Sequence, residues 1–170
     1  FGLAMAVQWR QMNAQTERRL RDGGTAIVNV MSAALHNAML KGDNDGAQTM
    51  TTDVGNSPAI RRTFVLRANG KVFVASDRSM IDKPYADEGV ARLQQGAKTS
   101  YEALADGDRH FSRVLVPIPM ENACVDCHPG VKAGEPLGYL GIEPWSDIDL
   151  HESEAAKRNL VLFNGVVVLL

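Results

Sequence analysis

Two cysteines and a histidine stand together in the second half of the chain. Cys124, Cys127 and His128 have the spacing Cys-x-x-Cys-His, and the 170-residue sequence contains no other cysteine. This spacing is the attachment motif of a c-type haem. Two thiols at this separation add to the two vinyl groups of one porphyrin, and the imidazole that follows them binds the iron. We therefore predict one covalent haem c per chain, with His128 as the proximal ligand of the haem iron.

Two other chemistries use the same residue types. A zinc ion could take these three residues and a fourth ligand from the other histidines, which are His36, His110 and His151. Zinc sites usually combine two separate pairs of ligands, and here there is no second cluster. A redox-active Cys-x-x-Cys normally begins a helix that follows a strand, whereas this motif is in a loop bounded by Pro and Gly. Covalent haem is our interpretation.

The second axial position of the iron requires a ligand from elsewhere, typically Met or His. Met39 belongs to the apolar stripe of the first predicted helix and is our candidate distal ligand, the alternative being a residue that fills a gap in the core. His36 precedes it by three residues and lies roughly 60° around the helix axis. His36 is the alternative distal ligand, unless it is a solvated helix residue. Met31, water or an open position remain further options.

Three arginines are candidate anion-binding residues. Arg61, Arg62 and Arg113 lie on or beside predicted strands near the expected pocket. Their guanidinium groups would pair there with haem propionates or with an organic anion. The alternative, which we favour, is that they occupy a solvated edge of the sheet.

Helices must position Met39 and His36. Apolar residues recur at helical spacing through residues 6–41, which predicts a long helix. Gly23 and Gly24 interrupt the pattern, and we expect a kink or a join between two helices there. Gly42 is expected to end this segment. A short second helix is predicted over residues 45–54.

The period then changes to that of strands. Residues 60–67 and 71–76 are β-rich and are separated by an Asn-Gly pair, which is a strong hairpin signal. The other predicted elements are a helix within residues 82–95 that begins near Pro84, strands at 99–103, 110–119 and 137–143, a turn at 105–108, and a final helix capped by Ser146 and Asp147. Short connections between strands predict an antiparallel sheet and an α+β fold.

Length and composition indicate one domain with a substantial core. The chain is 45% hydrophobic and has a formal net charge of -2, with no basic stripe that would suit nucleic acid. Both ends are apolar, although neither run reaches the roughly 20 residues of a membrane span. We expect residues 1–9 to be the end of a first transmembrane helix, residues 10–158 an extracytoplasmic haem-binding domain, and residues 159–170 the start of a second transmembrane helix. The alternative is that both runs are ends of core helices.

The sequence resembles the periplasmic c-type-haem sensor domains, of PAS or Cache-like fold, of bacterial chemoreceptors (methyl-accepting chemotaxis proteins) and sensor histidine kinases. The resemblance implies a PAS/Cache-like antiparallel sheet with a long N-terminal helix and a C-terminal exit helix, two flanking membrane spans, a cytoplasmic output region and a homodimer. It also implies that the methionine at position 39 is the distal ligand. The stretches that carry it are 34–43 (ALHNAMLKGD), 64–77 (FVLRANGKVFVASD), 116–128 (VPIPMENACVDCH) and 137–142 (LGYLGI).

We therefore expect the periplasmic domain of an inner-membrane protein, which detects redox state or a small gas and passes a conformational signal to a chemotaxis or kinase output. Two alternatives remain open: a membrane-anchored monohaem electron-transfer cytochrome, and a sensor of a small organic anion in which the haem is structural. We do not expect an enzyme, because no Ser-His-Asp or paired-carboxylate arrangement can be identified by spacing.

Overall fold

An antiparallel sheet forms the centre of the computed structural model, which describes residues 2–132 and 134–146. The described residues form five strands in the spatial order β2-β1-β5-β4-β3, with every neighbouring pair antiparallel. The predicted antiparallel α+β fold is therefore confirmed. The strands are β1 (Ile60–Arg67), β2 (Val72–Ala75), β3 (Ser100–Asp106), β4 (Arg109–Ile118) and β5 (Gly138–Pro144).

Three α-helices accompany the sheet in the described part of the chain. They are α1 (Gly2–Leu40), α2 (Asn44–Gly55) and α3 (Glu88–Gln94). Over residues 2–132 and 134–146, no helix combines the length and the apolar character that crossing a bilayer requires. The predicted final helix and the second apolar run, residues 159–170, lie outside the described residues.

The two faces of the sheet carry separate cores. On one face, which we call the helix side, α1 packs Val28, Met31 and Leu35 against the sheet. The sheet residues of this core include Val65, Val114, Leu140 and Ile142. On the other face, which we call the α3 side, the core includes Phe64, Leu66, Leu115 and Tyr139 of the sheet with Val90 and Leu93 of α3. Side chains alternate between these faces along a regular strand such as β1 from Phe64 to Leu66, whereas β2 departs from the alternation at its bulge.

The glycine pair in α1 does not divide it into two helices, so the predicted join is wrong. α1 runs through Gly23 and Gly24 without a break. A β-carbon built on Gly24 would lie 2.8 Å from Cγ2 of Val114, whereas one built on Gly23 would meet nothing within 4 Å. Gly24 is therefore a point of close approach between helix and sheet, and packing against β4 offsets the low helix propensity of glycine.

The predicted hairpin and short helix are confirmed, and one helix start is wrong. Gly70 takes the left-handed conformation (φ 79°) in the turn between β1 and β2. The third helix begins at Glu88, where the Asp87 side chain accepts a hydrogen bond from the Gly89 N–H, and not near Pro84. Pro84 instead forms an antiparallel β-bridge with Lys71 and is not part of α3.

Candidate functional site

A cavity of about 520 Å³ lies where α1, β1, β2 and the connection between β4 and β5 meet. Its size is in the ordinary range of small-molecule and cofactor sites. Much of its wall is apolar, formed by Val65, Phe73, Ile118 and Leu137 of the helix-side core. Apolar walls of this kind suit a ligand that is itself largely hydrophobic.

The Cys-x-x-Cys-His motif lies in the connection between β4 and β5, which we call the haem loop (residues 119–136). The base of this loop is closed by a hydrogen bond from the Leu137 N–H to the Ile118 carbonyl at 2.9 Å. Within it, the N–H groups of Cys127 and His128 both donate to the Cys124 carbonyl, at 3.2 and 2.9 Å. The motif is thus wound into one turn. Cys127 and His128 line the cavity, whereas Cys124 is buried one turn earlier and is not in the lining.

Met39 is distant in sequence from Cys127 and His128 but lines the same cavity. It lies in the last turn of α1, packs against the helix-side core and lines the cavity with Cys127 and His128. The helix end that carries it is well fixed. The Gly42 N–H donates to the Met39 carbonyl at 3.0 Å and the Asp43 N–H to the Ala38 carbonyl at 2.9 Å, with Gly42 at φ 65°. These two bonds are the Schellman pattern that closes helix ends.

The other candidate ligands do not line the cavity. His36 is half-buried, and its Nε2 lies 3.8 Å from Oε2 of Glu121, at the start of the haem loop. Met31 is buried in the helix-side core. His110 is at the exposed start of β4, where its carbonyl accepts the Ser146 N–H. His151 lies outside the described residues.

The donor set of the cavity fits the predicted haem c. A thiol, an imidazole and a thioether, from Cys127, His128 and Met39, share an apolar lining, and these are the covalent and axial partners that such a haem uses. Cys124, which lies one turn earlier and does not line the cavity, would supply the second thiol, and both cysteines are free thiols. Among the described residues no three His, Cys, Asp or Glu side chains group as they would around a metal ion.

The predicted arginines belong to a different site, centred on the fully buried carboxylate of Glu143 in β5. Its Oε1 accepts a hydrogen bond from Nε of Arg113 at 2.8 Å and lies 3.5 Å from the Tyr85 hydroxyl. Arg61 donates to Oε2, and Nε of Arg62 lies 3.8 Å from it. Burial, with the negative charge of Glu143, raises the pKa of Tyr85, so the phenol stays neutral and able to donate.

The favoured interpretation of these arginines is wrong. They are not at a solvated edge, and none of them lines the cavity that holds Cys127 and His128. Arg61 also pairs with Asp106 at 2.7 Å, and Arg113 also pairs with Asp87. Burial acts to lower the pKa of the Arg61 and Arg113 guanidinium groups, but these ion pairs and those with Glu143 raise it above its ordinary value. The cluster is therefore an internal network of ion pairs centred on Glu143.

Sequence reasoning missed Arg67, the cation that does line the cavity. Arg67 is the last residue of β1, and the turn residues Ala68 and Asn69 line the cavity beside it. The alternation of β1 was the signal that could have found it. Val65 belongs to the helix-side core, so Arg67, two residues later, is on the face that also carries Met39.

The fold is that of the PAS/Cache-like sensor domains, as predicted. The structure is similar to the sensor domain of E. coli DcuS, with a TM-score of 0.57 and 14% identity over 76% of this chain and 91% of that one. It is also similar to the sensor domain of the V. cholerae histidine kinase DctB, with a TM-score of 0.52 and 16% identity over 85% of this chain and 57% of that one.

A third similar structure is an extracellular ligand-binding receptor from Desulfohalobium retbaense, with a TM-score of 0.53 and 14% identity. That alignment covers 82% of this chain and only 25% of the receptor chain. The sequence matches no protein-family model and no curated protein. At these identities the similarities define the fold.

Proposed function

We propose that this chain is a periplasmic sensor domain that carries one covalent haem c and detects redox state or a small gas. One observation carries the proposal. Cys127 and His128 are adjacent in the loop between β4 and β5, Met39 is far from them in sequence, and all three line one apolar cavity. The fold supports the sensor part of the proposal, because the similar DcuS and DctB structures are sensor domains.

Each residue has a distinct role in this proposal. Cys124 and Cys127 would form the two thioether links, His128 would bind the iron from the haem loop, and Met39 would bind it from α1. When bound, the haem supplies an iron whose charge and axial bonds respond to redox state and to small gases. Met39 and His128 would then connect α1 to the loop between β4 and β5 through the iron. His36 of α1 and Glu121 of the loop form a partly exposed ion pair, and ion pairs of this kind contribute little to stability.

The signal in this proposal is a change in how firmly the end of α1 is held against the haem loop. A bound Met39 thioether fixes the last helical turn, and a released one leaves that turn to its own cap and to the helix-side core. This would be the two-state element that a switch requires, biased by whether Met39 holds the iron. The proposed output is a chemotaxis or kinase region in the cytoplasm.

The proposed setting follows from the chemistry of the motif. Covalent haem is matured outside the bacterial cytoplasm, which supports a periplasmic location. We propose that residues 1–9 and 159–170 belong to two flanking membrane spans of an inner-membrane protein and that the domain forms a homodimer. α1 would then connect the haem site directly to the first span, because it is one unbroken helix from Gly2 to Leu40.

Hydrogen exchange of the haem-loaded protein tests this function. We expect the amides of residues 36–43 to exchange about 5-fold faster or more when nitric oxide is bound than in the reduced protein, in line with typical coupling free energies. The amides of β4 and β5 serve as an internal control and should keep their protection. Identical exchange of residues 36–43 in the oxidised, reduced and nitric-oxide-treated protein would contradict the proposed switch.

A further inference from the structure

We propose that Arg67 binds an anionic group of the ligand in the cavity, namely one propionate of the haem, beside the β1–β2 turn. This inference rests on the proposed haem and assigns a binding role to a residue outside the Cys-x-x-Cys-His motif. It gives the propionate a partner other than Arg61, Arg62 and Arg113, which do not line this cavity.

Charge singles out Arg67. Of the described residues that line the cavity, Arg67 alone carries a permanent charge. A haem has two carboxylates, and placing a carboxylate against apolar walls is costly unless a cation or several hydrogen-bond donors meet it. Arginine suits this role because its planar guanidinium can hold both oxygens of one carboxylate.

The side chain of Arg67 is already oriented by two neighbours. Its Cζ lies 5.1 Å from the ring centroid of Phe73, which also lines the cavity. Its Nη1 lies 2.8 Å from Oδ1 of Asp82. Asp82 is held in the left-handed conformation (φ 62°) and donates its N–H to the Val72 carbonyl at 2.9 Å. The guanidinium is therefore positioned between the wall of the cavity and a carboxylate on the surface.

The pair with Asp82 does not compete strongly with a propionate. The Arg67 and Asp82 side chains are 44% and 72% exposed, and ion pairs in that setting are weak because water screens them. A guanidinium has five N–H donors, so Arg67 can keep one bond to Asp82 and offer others to a ligand. A neutralised, partly desolvated propionate next to the iron would raise the reduction potential, because it opposes the extra positive charge of the oxidised iron less effectively.

The reduction potential of the haem-loaded protein tests the proposal. We expect Arg67→Ala to lower the reduction potential. We also expect it to raise the pH at which ionisation of the propionate changes that potential. Arg67→Lys keeps the charge and should recover most of both shifts. Lys71→Ala is the matched control, because it removes one positive charge from the same exposed turn at a residue that does not line the cavity. It should change both values much less.

Two failures can be told apart. Equal shifts in Arg67→Ala and Lys71→Ala, with haem covalently attached in both, would overturn the role of Arg67 and leave the haem intact. Absence of covalent haem from the unsubstituted protein, matured in a host that attaches haem c, would overturn the proposed function itself.

Discussion

Substituting Met39 by Leu is expected to change the visible spectrum of the haem-loaded protein and to lower its reduction potential. A methionine axial ligand raises the potential of a haem relative to other ligands, so its loss favours the oxidised iron. Leu is the informative substitution because Met39 also packs against the helix-side core. Exchanges between Leu and Met in a core usually cost less than about 1.5 kcal/mol, so the fold should survive.

Two variants complete this experiment. His36→Ala removes the alternative distal ligand, which contacts Glu121 and does not line the cavity, and it should leave the spectrum unchanged. Met31→Leu changes a second methionine of α1 that is buried in the core, and it should also leave the spectrum unchanged. A spectrum that is insensitive to Met39→Leu but altered by His36→Ala would assign the distal position to His36 and contradict the proposed switch.

The second large effect is expected at Glu143. Its side chain is 0% exposed, and it accepts from Arg61 and Arg113, which are 17% and 13% exposed. Removing one partner of a buried ion pair leaves charge without its counter-charge, which typically costs about 3–5 kcal/mol. We expect Glu143→Ala to lower the free energy of unfolding by roughly 3 kcal/mol. This value is at the lower end of that range because Arg61 and Arg113 each keep a second acidic partner.

Urea unfolding measures this loss against a control in the same network. Asp106→Ala removes the other acidic partner of Arg61, but the Asp106 side chain is 54% exposed. Exposed ion pairs usually contribute about 0.2–1 kcal/mol, so this variant should lose less than about 1 kcal/mol. A loss of similar size in both variants would mean that burial of Glu143 does not set the energetics of the cluster.

Features that depend on one element or one turn could be predicted from the sequence. The Asn-Gly pair predicted the hairpin of β1 and β2, and the apolar stripe predicted that Met39 faces inward. Cys127 and His128 are adjacent in the motif and line one cavity, while their attachment to haem stays a prediction. In each case the physical signal, a turn conformation or a helical period, is contained in a few neighbouring residues.

Features that depend on the pairing of distant strands could not be predicted in this way. Arg62 is paired with Glu143 across β1 and β5, and no local pattern fixes that register. The arginines were therefore assigned to a solvated edge, although they surround a buried carboxylate. In the same way, propensity alone predicted an interruption of α1 at Gly23 and Gly24, whereas the helix is continuous and Gly24 packs closely against Val114 of the distant strand β4.

The central claim is that one porphyrin is bound covalently in the cavity through the two thiols of the haem loop. Mass spectrometry of the denatured protein, produced in a host that attaches haem c, tests it most directly. We expect the mass of one haem to stay with the chain and to map to the peptide that contains Cys124 and Cys127, and to be lost from the Cys124→Ala/Cys127→Ala double variant. A colourless chain of unmodified mass with two free thiols would contradict the claim.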